Sequence, residues 1–144
     1  PQWVTQIIAK MDLSGANSSM VYCQFLAGAL NADYTARLLT AVTGLNYTPE
    51  RFQQVGERTW YLRRLFNLRL GVGLEADVLP GRIRRQIEAS DASLKDLDRA
   101  LAEYHRQREL DARGVPSRAK LKSLGLGELA DEWVPNKAEG ERRR

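Results

Sequence analysis

Cys23 is the only cysteine of the 144 residues and His105 the only histidine. A lone thiol has three chemical readings. It packs as a small hydrophobe, it acts as a nucleophile with His105 as the one available base, or it gives a metal cluster one ligand while the others come from elsewhere. One cysteine and one histidine exclude an internal disulfide, a C-x-x-C knuckle and an H-E-x-x-H zinc site. His105 lies in the charged run Tyr104-His105-Arg106-Gln107-Arg108 and reads as a surface residue. Asp96 and Glu103, like Glu109 and Asp111, alternate with arginines, which favours solvated ion pairs over an acid and base pair. Gly71, Gly73 and Gly81 follow a helical pattern with no G-K-S or G-K-T behind them, so they read as helix terminators and not as a phosphate loop. No residue of the chain is assigned a catalytic role.

Elements of ordinary composition must position that thiol. With 43% hydrophobic and 28% charged residues, the chain suits one globular domain, able to bury roughly two-thirds of its unfolded surface. The apolar run near Phe25 to Leu30 is far shorter than the roughly 18 residues of a membrane span, so no membrane partner and a cytoplasmic location are expected. Pro1 in place of methionine suggests a piece cut from a longer polypeptide. The net charge of +4 is local, because three of the basic residues are the terminal Arg142, Arg143 and Arg144; a solvated tail follows.

Apolar spacing of three and four recurs, and no stretch alternates with period two, so the expected class is all-α: a single compact domain of about six helices over 1–133, with a frayed basic tail over 134–144. Trp3, Val4, Ile7, Ile8 and Met11 form a first stripe that Ser14-Gly15 interrupts. A second helix is expected from Ser18 to Leu30, capped by Ser18 or Ser19, with Cys23 near its start. Asp33 is expected to cap a third, with Tyr34, Leu38, Ala41 and Val42 on one face and Gly44 ending it. Thr48-Pro49-Glu50 opens the long central helix near 49–70, striped by Phe52, Val55, Thr59, Leu62 and Phe66. A short basic segment follows, Arg82 to Ile87. Ser93 to Asp96 resembles a capping box, with Leu94, Leu97, Leu101 and Tyr104 continuing towards Gly114. A last short helix spans Arg118 to Ser123.

Read outward from the central helix, Ala41-Val42-Thr43-Gly44, Thr48-Pro49-Glu50 and the run from Gly56-Glu57-Arg58 to Phe66-Asn67-Leu68-Arg69 closely resemble the C-terminal region of the tungsten-containing aldehyde:ferredoxin oxidoreductase family. The resemblance continues through Asp77-Val78-Leu79-Pro80-Gly81-Arg82, Gly114-Val115-Pro116-Ser117 and Leu121 to Leu126. It covers about Gln2 to Leu126.

The resemblance implies a parent enzyme that oxidises aldehydes to carboxylic acids at a tungsten ion held by two molybdopterins. A 4Fe-4S cluster beside one pterin passes the electrons to ferredoxin. Cys23 would be the fourth cluster ligand, the other three coming from N-terminal domains of the same polypeptide. The family reads D-x-x-G-L-C up to that cysteine, with the aspartate and the residue before the cysteine touching pterin. Ser18, Val21 and Tyr22 stand at the aspartate, glycine and leucine positions, so the implied cofactor residues are Ser18 and Tyr22. Arg108-Glu109-Leu110 stands where the family has R-G-W. Arg58, Arg63 and Arg64 read as structural ion-pair partners. The isolated chain is expected to hold no cofactor and to be inactive. The alternative is a non-catalytic basic helical module that binds a protein, or nucleic acid through residues 81–87 and the tail, although nucleic acid is not the favoured partner.

Overall fold

The computed structural model describes residues 2–21, 23, 25, 30–90 and 94–134, and among these described residues seven α-helices follow one another. They are α1 (Gln2–Ser19), α2 (Ala32–Thr43), α3 (Pro49–Arg69), α4 (Gly81–Glu88), α5 (Leu94–Gln107), α6 (Arg118–Ser123) and α7 (Gly127–Trp133), with a 3-10 turn at Leu74–Ala76. Among the described residues there is no strand, only an isolated bridge between Leu110 and Pro116. The all-α expectation holds. Backbone contacts divide the chain into two compact units, one of residues 6–63 and one of residues 1–5 with 64–144.

In the first unit, α1 runs unbroken through Ser14-Gly15, where an interruption was expected. Glycine costs a helix interior about 1 kcal/mol. Here the bare Gly15 lets the backbone of α1 approach α3, where a Cβ would stand 3.3 Å from the Gly56 carbonyl oxygen. The opposing Gly56 has no room at all, since a Cβ there would overlap the Asp12 carbonyl. Gln53 Nε2 donates to the Ala9 carbonyl at 2.7 Å beside this crossing. Ser18 and Ser19 end this helix instead of capping the next: Ser19 Oγ donates back to the Gly15 carbonyl at 2.9 Å. Most of the second helix expected up to Leu30 lies outside the described residues.

Asn31, not Asp33, caps α2, its side chain accepting from the Tyr34 N–H at 2.8 Å. Gly44 ends the helix in the left-handed region as expected, at φ 71°. The buried side of α2 is Thr35 and Ala36, and Ala16, Ala36 and Phe52 form the centre of a core flanked by Leu13, Leu39 and Val55. The expected face is therefore turned outward, with Tyr34 and Leu38 half exposed and Val42 77% exposed. Apolar spacing finds a stripe without saying which of two stripes is covered.

Thr48 caps α3, its hydroxyl accepting from the Arg51 N–H at 3.2 Å. Bonds from the Glu50 backbone N–H and then from Thr48 hold the Glu50 carboxyl below its usual range. The buried positions of α3 are Phe52, Tyr61, Arg64, Leu65 and Leu68, whereas Leu62 and Phe66 of the expected stripe are exposed. Phe52 of that stripe is buried as expected, but the covered face runs on through Gly56 and Arg64 as well as Tyr61, Leu65 and Leu68, positions that the spacing of large apolar residues did not single out.

In the second unit, Ala100 of α5, Leu121 and Leu124 around α6, Leu126, and Ala130 of α7 are buried with Leu65 and Leu68. Ser117 caps α6, accepting from the Lys120 N–H at 3.1 Å. The short helix α7, absent from the expectation, pairs Asp131 with Arg118 of α6. The basic segment forms α4, with Arg82, Arg84 and Arg85 exposed. Residues 135–144 of the expected tail lie outside the described residues.

Candidate functional site

Cys23 is a free, exposed thiol. Tyr22 lies outside the described residues. Among the described residues no three His, Cys, Asp or Glu side chains gather where they could hold a metal, and no helix is long and apolar enough to cross a membrane.

Ser18 lines a surface groove of about 410 Å³ in the 6–63 unit, along the crossing of α1 and α3. Ile7, Met11 and Trp60 give it apolar walls, Ser14, Ser18 and Thr59 supply hydroxyls, and Lys10 and Arg63 supply positive charge. Trp60 is held edge-on by the buried Tyr61, with ring centroids 4.9 Å apart at 82°. The Thr59 hydroxyl donates to the Val55 carbonyl at 2.8 Å and keeps a lone pair for a further donor. Sequence reasoning took Ser18 from the motif and missed the rest. Lys10, Ser14 and Ser18 recur every four residues, as do Thr59 and Arg63, so a polar stripe on each helix was the available signal.

A second cluster occupies the 64–144 unit. Arg64 is only 7% exposed. Its Nε donates to the Gly114 carbonyl at 2.8 Å, and its Nη1 stands 3.9 Å from Asp77 Oδ2. The same Oδ2 is 3.2 Å from His105 Nε2. The expectation of a surface histidine is corrected: the side chain of His105 is 18% exposed and anchored to Asp77. Arg64 meets the ion-pair expectation. The carboxylates expected to be solvated ion pairs are so: Asp96 faces Arg99 at 3.7 Å, Glu103 meets Arg106 at 2.7 Å, and Glu109 lies 3.6 Å from Lys120. Asp111 also accepts from the N–H groups of Arg113 and Val115 at 2.9 and 2.8 Å, fixing the turn before Gly114.

Among the described residues two non-glycine residues have positive φ, Val21 at 56° and Glu109 at 52°. Both stand where the resembled motifs have glycine, D-x-x-G-L-C and R-G-W. At Glu109 the turn closes α5, with the Leu110 N–H donating to the His105 carbonyl at 3.0 Å.

The described residues thus form an all-helical fold with an exposed Cys23 and a polar groove along α1 and α3. Residues 2–126 match the family model described as aldehyde ferredoxin oxidoreductase, domains 2 and 3, and the chain belongs to that family. It is 31% identical over 130 residues to the tungsten-containing aldehyde ferredoxin oxidoreductase of Pyrococcus abyssi, covering 88% of this chain and 21% of that protein. The protein of the same name from Pyrococcus furiosus is 30% identical over 133 residues, with 88% and 22% covered. The chain thus spans about a fifth of the length of the curated relatives it matches. No solved structure matches.

Proposed function

We propose that this chain is the helical C-terminal wall of a cytoplasmic tungstopterin oxidoreductase, supplying Cys23 as one of four thiolates of a 4Fe-4S cluster and Ser18 to a pterin. The observation that carries the reading is the exposed lone thiol of Cys23 inside a family match over residues 2–126. A cluster takes four thiolates, and this sequence contains one, so a ligand role needs the rest of a longer polypeptide. The lining of the groove suits a pterin, because a flat ring with polar edges asks for apolar walls and hydroxyls together. When bound, the tungsten-pterin and cluster supply the two-electron oxidation of an aldehyde to a carboxylic acid and the passage of electrons to ferredoxin.

The residues of this chain hold and orient. Ser18 offers a neutral hydroxyl where the family motif has a carboxylate, so it accepts a ring N–H without adding charge. The outward face of α2 (Tyr34, Leu38 and Val42) gives the remaining domains an apolar seat, since an exposed stripe of this kind marks an interaction surface. By itself the chain is inactive.

The test is Cys23→Ser in the full-length product of the gene. The cluster's visible absorption and paramagnetic signal are expected to fall away; a product that keeps four irons per protein and its ferredoxin reduction would remove the reading.

A further inference from the structure

From Val78 to Ile87 the sequence carries three arginines and no acid. Helix α4 forms over most of this stretch and is closed at both ends. The Ile83 and Arg84 N–H groups donate to the Pro80 carbonyl at 2.9 and 3.1 Å, and the Ala89 N–H donates to the Arg85 carbonyl at 3.0 Å. The helix packs against α5 within the 64–144 unit, so its charges are held on the fold and not on a loose arm. Arg82, Arg84 and Arg85 are exposed, and none of them has an acidic partner among the described residues. The one acid of α4 is Glu88 at its far end, and Asp77 before the helix is taken up by Arg64 and His105.

Apolar side chains stand among these charges. Val78 is 71% exposed, Leu79 37% and Ile83 40%. Ile83 falls between Arg82 and Arg84, one helical turn from Leu79. Apolar groups ringed by arginine are the composition of a protein interface, where arginine is enriched and lysine depleted. A phosphate backbone rewards positive charge and gains nothing from Leu79 or Ile83. A bilayer asks for more apolar surface than a helix about 12 Å long can offer. Permanent burial inside a longer polypeptide would strip water from three unpaired guanidiniums. A transient contact leaves them at a wet rim, where they steer the encounter and reject wrong partners.

We propose that Arg82, Arg84 and Arg85, with Leu79 and Ile83 between them, form a docking surface for a separate protein that presents an acidic, amphipathic segment. The surface is independent of the Cys23 reading, so either can fail without the other.

The probe is a short labelled peptide with leucines at helical spacing and glutamates elsewhere, titrated into the full-length product of the gene. An all-glutamate peptide of equal length, duplex DNA and phosphatidylglycerol vesicles are the comparisons. The amphipathic peptide is expected to bind saturably and more tightly than the all-glutamate one, and to weaken as salt is raised above about 0.15 M. R82Q, R84Q and R85Q are each expected to weaken both peptides about threefold. I83Q should weaken the amphipathic peptide alone. All four side chains are exposed, so the fold is spared. R37Q, at an exposed arginine of the 6–63 unit, is expected to change nothing. Absence of saturable binding, equal affinity for the two peptides, or a loss in R37Q equal to that in R84Q would each overturn the proposal. So would tighter binding of duplex DNA or vesicles that R84Q weakens.

Discussion

Gly15 of α1 and Gly56 of α3 meet backbone against backbone, and their tolerances differ. A Cβ on Gly15 would stand 3.3 Å from the Gly56 carbonyl oxygen, whereas one on Gly56 would overlap the Asp12 carbonyl and reach the Ala16 nitrogen at 3.0 Å. Gly56→Ala must push the helices apart and should destabilise by roughly 2–4 kcal/mol. Gly15→Ala needs a shift of a few tenths of an ångström and gains helix propensity, so its net effect should stay within about 1 kcal/mol. Urea unfolding of both variants measures the difference; equal losses would disprove the asymmetry.

Val21 adopts a conformation that suits glycine, at φ 56°, and a β-branched side chain makes that costly. Val21→Gly is expected to raise stability by about 1 kcal/mol, seen as a higher denaturation midpoint. Glu109 is also strained, but its carboxylate accepts from the Ser117 hydroxyl and pairs with Lys120 at 3.6 Å. Glu109→Gly should gain less than Val21→Gly, because relief of strain removes those contacts as well.

Gly114 has φ 80°, and a Cβ there would collide with the Arg64 guanidinium. Gly114→Ala combines a left-handed backbone with loss of the buried Arg64 bond, and should cost roughly 3 kcal/mol or more. Thermal melting reads the loss, and a wild-type midpoint would contradict this account of Arg64.

Hydrogen bonds from Arg106 and then Gln107 hold the Glu103 carboxyl down to about 2, against an ordinary 4.5. A depressed folded value means the stabilisation is fully present above 4.5 and is lost as pH falls towards 2. Glu103→Gln should flatten that part of the curve of melting temperature against pH; an unchanged acid slope would show that the exposed pair contributes nothing.

Chelation supplies a simpler check. With one cysteine in the sequence and no cluster of metal-binding side chains among the described residues, the chain alone should melt at the same temperature with and without a strong chelator. A chelator-sensitive transition would reveal a metal that the helices hold by themselves.

Periodicity and punctuation were enough to assign the all-α class, the start of α3 at Thr48-Pro49, the stop at Gly44 and the short helix from Arg118 to Ser123, because each depends on neighbours within one turn. The motifs from Ala41 to Arg69 and from Asp77 to Leu126 were enough to point to the family. Which stripe is covered was another matter. Tyr34, Leu38 and Val42 have ideal helical spacing yet lie outside, and Gly15 looked like a break until Gly56 came to meet it. His105 looked solvated until Asp77, 28 residues away in sequence, was brought to 3.2 Å. Local conformation is encoded by adjacent residues and can be read along the chain. Burial, ion pairing and the groove shared by Ser18, Lys10 and Arg63 depend on which distant backbone arrives opposite, and only the folded arrangement decides that.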